Sequence, residues 1–163
     1  ALMLKNKVDI YFLMIGGGSK FEYANEFITK NNLENVGIFP FQKEEILPYT
    51  FSLADISLVA IEQGCENLLI PSKTFDYLAA GSSIIAITQE PSDLSSLIKK
   101  EKIGFVVPPQ KPDLLFKYIL NLYLDQNKIS KFKSNSRKIA EKFFSKKMGI
   151  NKFNNLIENH ENA

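Results

Sequence analysis

IPSKTFDYLAAGSSIIAI, Ile70 to Ile87, sets out a loop, a helix, a turn and a strand within eighteen residues. Pro71 fixes the chain direction, and Ser72 is a residue type suited to a helix start. Ala79-Ala80-Gly81 supplies a small-residue helix end, where glycine tolerates a left-handed backbone. Ser83 to Thr88 is an apolar run of strand length, without the alternation of a half-buried strand. This stretch therefore predicts a helix from Lys73 to Ala80 feeding a buried strand.

The same alternation extends to both sides. Ile10 to Ile15 is an apolar run ending in Gly16-Gly17-Gly18, and Phe21, Ala24, Phe27 and Ile28 then recur at helical spacing. Val36 to Phe39 and Ile56 to Ile61 read as strands two and three. The helical pattern between them, Glu44 to Asp55, is interrupted by Pro48, which restricts or kinks it. After the Ser83 to Thr88 strand, Ser92 is the expected cap of a helix, and GFVVP from Gly104 is a fifth strand. Leu115, Tyr118, Ile119 and Leu122 mark the apolar face of a further helix, and basic helices close the chain. Alternating βα units with uniformly apolar strands predict an α/β fold, a Rossmann-like doubly wound parallel sheet. The expected division is 1–127 for that nucleotide-binding fold and 128–163 for basic C-terminal helices packing on it or crossing from it. Ligands of such sheets bind at the carboxyl ends of the strands.

Composition narrows the chemistry. The 163 residues, 45% of them hydrophobic, suit one domain that buries about 70% of its unfolded surface. A net charge of +2 offers no general nucleic-acid footprint. The charge is uneven, however. Lys128 to Lys147 holds eight basic residues against one acid, Glu141, a local +7 that is either a solvated helix face or a surface for anionic lipid or an acidic partner. A lone cysteine, Cys65, forms no internal disulfide and suits a reducing compartment. A lone histidine, His160, sits in a polar tail, so neither a catalytic histidine nor a His/Cys metal site is expected. No apolar run reaches the ~20 residues of a membrane span, and ALMLKNK has no secretory h-region and cleavage site. Cytoplasmic residence follows as the expectation. With no initiator methionine before the first strand, the chain reads as part of a longer protein.

Three loops carry candidate chemistry. In GGGSK, Gly16 to Lys20, two glycines fit the first half of a dinucleotide fingerprint, but Phe21 stands where its last glycine belongs, and no P-loop lysine follows. The loop is either a tight turn or a backbone kept open against a ligand. In IFPFQKEE, Ile38 to Glu45, Phe39 and Phe41 flank Pro40 and either edge a base or fill a core. In PSKTFD, Phe75 occupies the position at which a capping box places Glu or Gln, leaving Ser72 outside that device. Bare first-turn amides with Lys73 suit a phosphate, and Asp76 suits sugar hydroxyls. An ordinary capped helix, its Asp favourable to the dipole, is the other reading.

At these residues the chain resembles a known family. Leu53 to Ile87, with its PSKTFDYLAAG block, is similar to the nucleotide-binding segment of retaining GT-B glycosyltransferases, in the family-4-like branch that builds bacterial surface polysaccharides. Ile15 to Phe41 and Gly104 to Leu122 follow more loosely. The resemblance implies the C-terminal, donor-binding half of a two-domain enzyme, without its first strand and the loop after it, and without the N-terminal acceptor domain. It implies that Ser72, Lys73 and Thr74, introduced by Pro71, hold a diphosphate, that Asp76 binds ribose, and that Gly16, Gly17, Gly18, Phe39 and Phe41 lie at the donor and its base. The family's paired-glutamate motif is not intact: Leu68 stands eight residues before Asp76, leaving Glu66 or Glu62 for the donor sugar. No metal and no cofactor are implied beyond a nucleotide-diphosphate-sugar substrate, with UDP the expected carrier. The acceptor is a lipid-linked or saccharide molecule at the inner membrane face, and the fragment alone is expected to be inactive. A nucleotide-sugar epimerase of the same fold, and a flavodoxin- or receiver-like binding module, are the alternatives.

Overall fold

The computed structural model describes residues 1–66 and 68–161. The chain forms two compact units, Ala1–Leu47 and Pro48–Ala163. The first begins with a short 3-10 turn at Leu2–Leu4, unanticipated from the sequence, followed by β1 (Phe12–Ile15), α1 (Phe21–Lys30) and β2 (Val36–Phe39). β1 and β2 are parallel, with Phe12 opposite Val36 and Ile15 opposite Phe39.

The Pro48 segment resolves into a 3-10 turn at Glu44–Ile46 and a new helix, α2 (Leu47–Ser52), which places the proline in a first turn where its missing N–H costs nothing. The second unit continues with β3 (Ile56–Ala60), α3 (Lys73–Ala79), β4 (Ser83–Ile87), α4 (Asp93–Glu101) and β5 (Gly104–Val107). α5 (Pro112–Leu124), α6 (Gln126–Phe143) and α7 (Lys146–Glu161) complete it. Its sheet is parallel in the order β3-β4-β5. All five expected strands exist and all pair in parallel, so the α/β class holds; the pairing falls into two ladders, one in each unit. The boundary expected after residue 127 falls two residues inside α6, which packs on α3, α5 and β4 of the second unit. Residues 162–163 of the expected C-terminal segment, and the side chain of His160, lie outside the described residues. Among the described residues no helix is long and apolar enough to cross a membrane.

β4 is the middle strand, and Ser83, Ile84, Ile85 and Ala86 have no accessible surface. Successive strand residues point to opposite faces, so both faces of β4 are covered. Ile84 and Ala86 join Leu78 of α3, Leu94 and Ile98 of α4, and Ile139 and Ala140 of α6 in one core cluster. Each of the leucine and isoleucine side chains contributes about 1.5–3 kcal/mol by leaving water. α3 ends as its sequence suggests. Gly81 adopts φ +71°, its amide donates to Leu78 O and the Ser82 amide donates to Tyr77 O, closing the last turn. α4 opens with Ser92, whose hydroxyl accepts from the Ser95 amide while the Ser95 hydroxyl accepts from the Ser92 amide.

The β4–β5 ladder is intolerant of side chains at Gly104, where a Cβ would collide with the Ile84 backbone carbonyl. Gly104→Ala is predicted to cost about 3 kcal/mol, the upper end for overpacking, because backbone rather than a side chain must move. Thermal denaturation should show a midpoint lowered by about 6–12 °C.

Candidate functional site

The start of α3 is open. Ser72 has a helical backbone, φ −56° and ψ −35°, whereas a capping residue needs an extended one, and its side chain makes no cap bond. The first turn is instead closed tightly by backbone: the Thr74 amide donates to Pro71 O at 2.9 Å and the Phe75 amide to Ser72 O at 3.0 Å. The bare amides expected there are accordingly fewer than the sequence suggests. Those of Ser72 and Lys73 have no partner among the described residues. Ser72, Lys73 and Asp76 are exposed, and spacings of three and four put the two latter side chains and Ser72 on neighbouring positions of one helix surface.

Thr74 departs from the expectation. Its side chain is fully buried and its hydroxyl has no partner, so it supports the loop from inside and offers nothing to a ligand outside. Pro71 is half-buried, its carbonyl engaged by Thr74. Glu66 accepts from the Gly64 amide at 2.9 Å, which folds the preceding loop into a turn and occupies one carboxylate oxygen. Leu68 and Leu69 in the same loop are exposed.

Tyr77, which follows Asp76, packs edge-on against Phe51 at 5.6 Å between ring centres. Burial holds its hydroxyl pKa above the ordinary value, and the Asp76 charge adds to the shift. This half-buried phenol next to the candidate carboxylate was not singled out from the sequence.

In the first unit the glycine turn is open to a ligand-sized hollow of about 500 Å³, lined by Gly16, Gly17, Gly18, Phe21, Pro40 and Phe41. Gly16 and Gly18 have φ of +130° and +134°, a conformation that favours glycine. A Cβ on Gly17 would lie 3.1 Å from the Phe41 ring, so the absence of side chains lets that ring sit against the turn. Phe41 is 77% exposed and Phe39 44%, so neither fills a core. Phe39 is separate from the hollow: its ring lies over Gly37, where an added Cβ would meet it at 2.8 Å.

The chain belongs to the glycosyl transferases group 1 family, which it matches over residues 1–139. It is 24% identical over 149 residues to an Escherichia coli (strain K12) protein named as a colanic acid biosynthesis glycosyl transferase, WcaI, covering 91% of this chain and 36% of that protein. It is 25% identical over 122 residues to a Pseudomonas aeruginosa protein named as a glycosyltransferase, WbjE, covering 73% of this chain and 30% of that one. The chain thus spans about a third of the length of these relatives. Its fold is that of Anabaena Alr3699/HepE, solved in complex with UDP, at a TM-score of 0.73 and 18% identity, covering 99% of this chain and 43% of that one. Family membership sets aside the flavodoxin- and receiver-like alternatives and bears out the GT-B-like fold.

Two stability outcomes follow from the local geometry. Ser92→Ala should lose about 1 kcal/mol, because it removes a cap, while Ser72→Ala should stay within about 0.5 kcal/mol of the parent in denaturant unfolding. Since the folded pKa of Tyr77 is raised, its stabilising contribution is complete below the unfolded value of about 10 and is lost as pH rises through the folded one. Tyr77→Phe should therefore flatten the alkaline decline of the melting temperature above about pH 10.

Proposed function

We propose that this chain is the donor-binding half of a glycosyltransferase that moves a hexose or amino-sugar from a nucleotide diphosphate, with UDP as carrier, to a lipid-linked or saccharide acceptor in surface-polysaccharide synthesis. The observation that carries the proposal is the unsealed start of α3. A serine hydroxyl and two amides without partners stand beside an exposed lysine, with an exposed carboxylate one turn on. That set offers donors to a diphosphate and an acceptor to vicinal hydroxyls. The group 1 membership, the polysaccharide role in the name of the Escherichia coli relative and the UDP bound by the Anabaena protein support the reading.

In this reading Ser72 and Lys73 hold the diphosphate and Asp76 the ribose. Glu66 or Glu62 meets the donor sugar. Negative charge gathers on the departing diphosphate as its bond to the sugar's anomeric carbon breaks and the acceptor hydroxyl oxygen, losing its proton, bonds to that carbon. Fixed donors and Lys73 aimed at that charge stabilise it without rearranging, which lowers the barrier without a metal. Transfer with retention is part of the proposal, with no protein nucleophile assigned. An acceptor domain elsewhere in the full-length protein completes the enzyme, which works in the cytoplasm at the inner membrane face, so this chain alone binds donor and transfers nothing.

Titration of the chain with UDP, GDP and ADP, followed by heteronuclear NMR, tests the reading. UDP should shift the amides of Ser72 to Asp76 most. Ser72→Ala and Asp76→Ala should each weaken it by about 3- to 10-fold, the worth of one or two hydrogen bonds. UDP binding that leaves those amides unmoved, or that neither substitution changes, would overturn it.

A further inference from the structure

α6 lies along α3 from one end to the other. A Cβ on Gly81, just past α3, would stand 3.7 Å from both Arg137 Cβ and the Lys133 carbonyl oxygen. Arg137 donates to the carbonyl of Ala79, in the last turn of α3. At the opposite end the Phe144 ring meets that of Phe75, with 4.8 Å between centres and 57° between planes. The two helices therefore run in opposite directions, and Phe144, the residue that ends α6, stands at the start of α3.

That start has little of its own to fix it. Seven residues are too few for a helix to hold unaided in water. Ser72 makes no cap bond, and the Thr74 hydroxyl, though buried, has no partner. The first turn closes on itself, through the Thr74 amide on Pro71 O and the Phe75 amide on Ser72 O. Ser72, Lys73 and Asp76 are exposed, which leaves Thr74 and Phe75 to face the fold. The contact of Tyr77 with Phe51 comes two residues further on, where a helix presents a different side.

Phe144 is itself fixed. Its amide donates to the carbonyl of Ala140 at 3.0 Å, and Ala140 and Ile139 belong to the core cluster. The Phe144 ring lies outside that cluster and is 44% exposed, so its main contact is Phe75 and not the core.

We propose, on the donor-binding reading above, that Phe144 is a positioning residue for the donor. Through Phe75 it holds the first turn of α3, and so Ser72, Lys73 and Asp76, in the arrangement that meets a diphosphate and a ribose. Without the ring pair the turn samples several arrangements, and affinity falls by the fraction of time it spends in the competent one. Phe144 touches no ligand, and its effect passes through Phe75.

The test combines UDP titration with amide hydrogen exchange on folded variants of the chain. Phe144→Ala should weaken UDP by about 3- to 10-fold, the worth of one aromatic pair. It should also speed exchange of the Thr74 and Phe75 amides by a similar factor, relative to the Gly81 and Ser82 amides at the far end of α3. Phe144→Tyr, which keeps the ring, should stay within about twofold of the parent on both. Ile139→Val loosens α6 in the core and should lower the melting temperature without weakening UDP. In a Phe75→Leu background, where the ring pair is already gone, Phe144→Ala should have less than about a twofold further effect. Should Phe144→Ala not fold, Phe144→Leu, which removes the ring and keeps apolar volume, is read in its place. Parental UDP affinity in the folded variant, equal weakening by Ile139→Val, or a full further loss in the Phe75→Leu background would each overturn the proposal. If the parent itself does not bind UDP, the donor reading fails. Exchange then decides alone: selective opening of the first turn in Phe144→Ala keeps Phe144 as the residue that positions it, and unchanged exchange overturns that role.

Discussion

The burial of β4 on both faces organises the whole second unit. A strand with no accessible surface from Ser83 to Ala86 must have a ladder on each edge and helices on each side. β3 and β5 supply the ladders. α3, α4 and α6 bring Leu78, Leu94, Ile98, Ile139 and Ala140 to the face of Ile84 and Ala86. The chain enters β4 directly from α3 through the left-handed Gly81, and the Ser82 hydroxyl bonds to Ser57 at 2.8 Å. A helix of seven residues joined this tightly to a fixed strand has little freedom of its own. Its open end, and therefore Ser72, Lys73 and Asp76, is held in place by hydrophobic contacts at its other end.

Two serines at helix starts show how differently the molecule treats similar residues. Ser92 has an extended backbone, is buried, and is locked to Ser95 by reciprocal bonds. Ser72 has a helical backbone, is exposed, and bonds to nothing through its side chain. Beneath it, Thr74 keeps a buried hydroxyl without a partner, a group whose desolvation costs about 1–3 kcal/mol. A structure optimised for stability alone would cap the helix and place a hydrophobe at residue 74.

The basic residues show a similar division of labour. Lys133 and Arg137 tie α6 to Asp55 and to the end of α3, and exposed pairs of this kind contribute at most about 1 kcal/mol each. The Phe144 ring packs at a tilt against Phe75 of α3, 4.8 Å between ring centres, so apolar contact carries most of that attachment. The lysines on the opposite side of α6 do none of this.

The existence and order of the strands and helices were legible from apolar runs and from Gly, Pro and Ser at their ends, since these depend on local backbone preference and period. PSKTFDYLAAG also carried the resemblance to the family, through its match to that family's sequence block, and the family match over residues 1–139 agrees with it. The partition of the strands into two ladders was not legible, because pairing depends on which edges meet and not on any strand's composition. Thr74 and Phe39 looked like ligand contacts in the sequence. The structure buries the first and lays the second over Gly37, since the helix register and the pleat of β2 decide where those side chains point. Likewise, eight basic residues in twenty read as one patch, and only the packing of α6 separated those that hold the fold from those that face outward. The sequence by itself determined which elements form and what chemistry they carry. Tertiary structure decided which of those groups remain exposed, because exposure is set by neighbours distant along the chain.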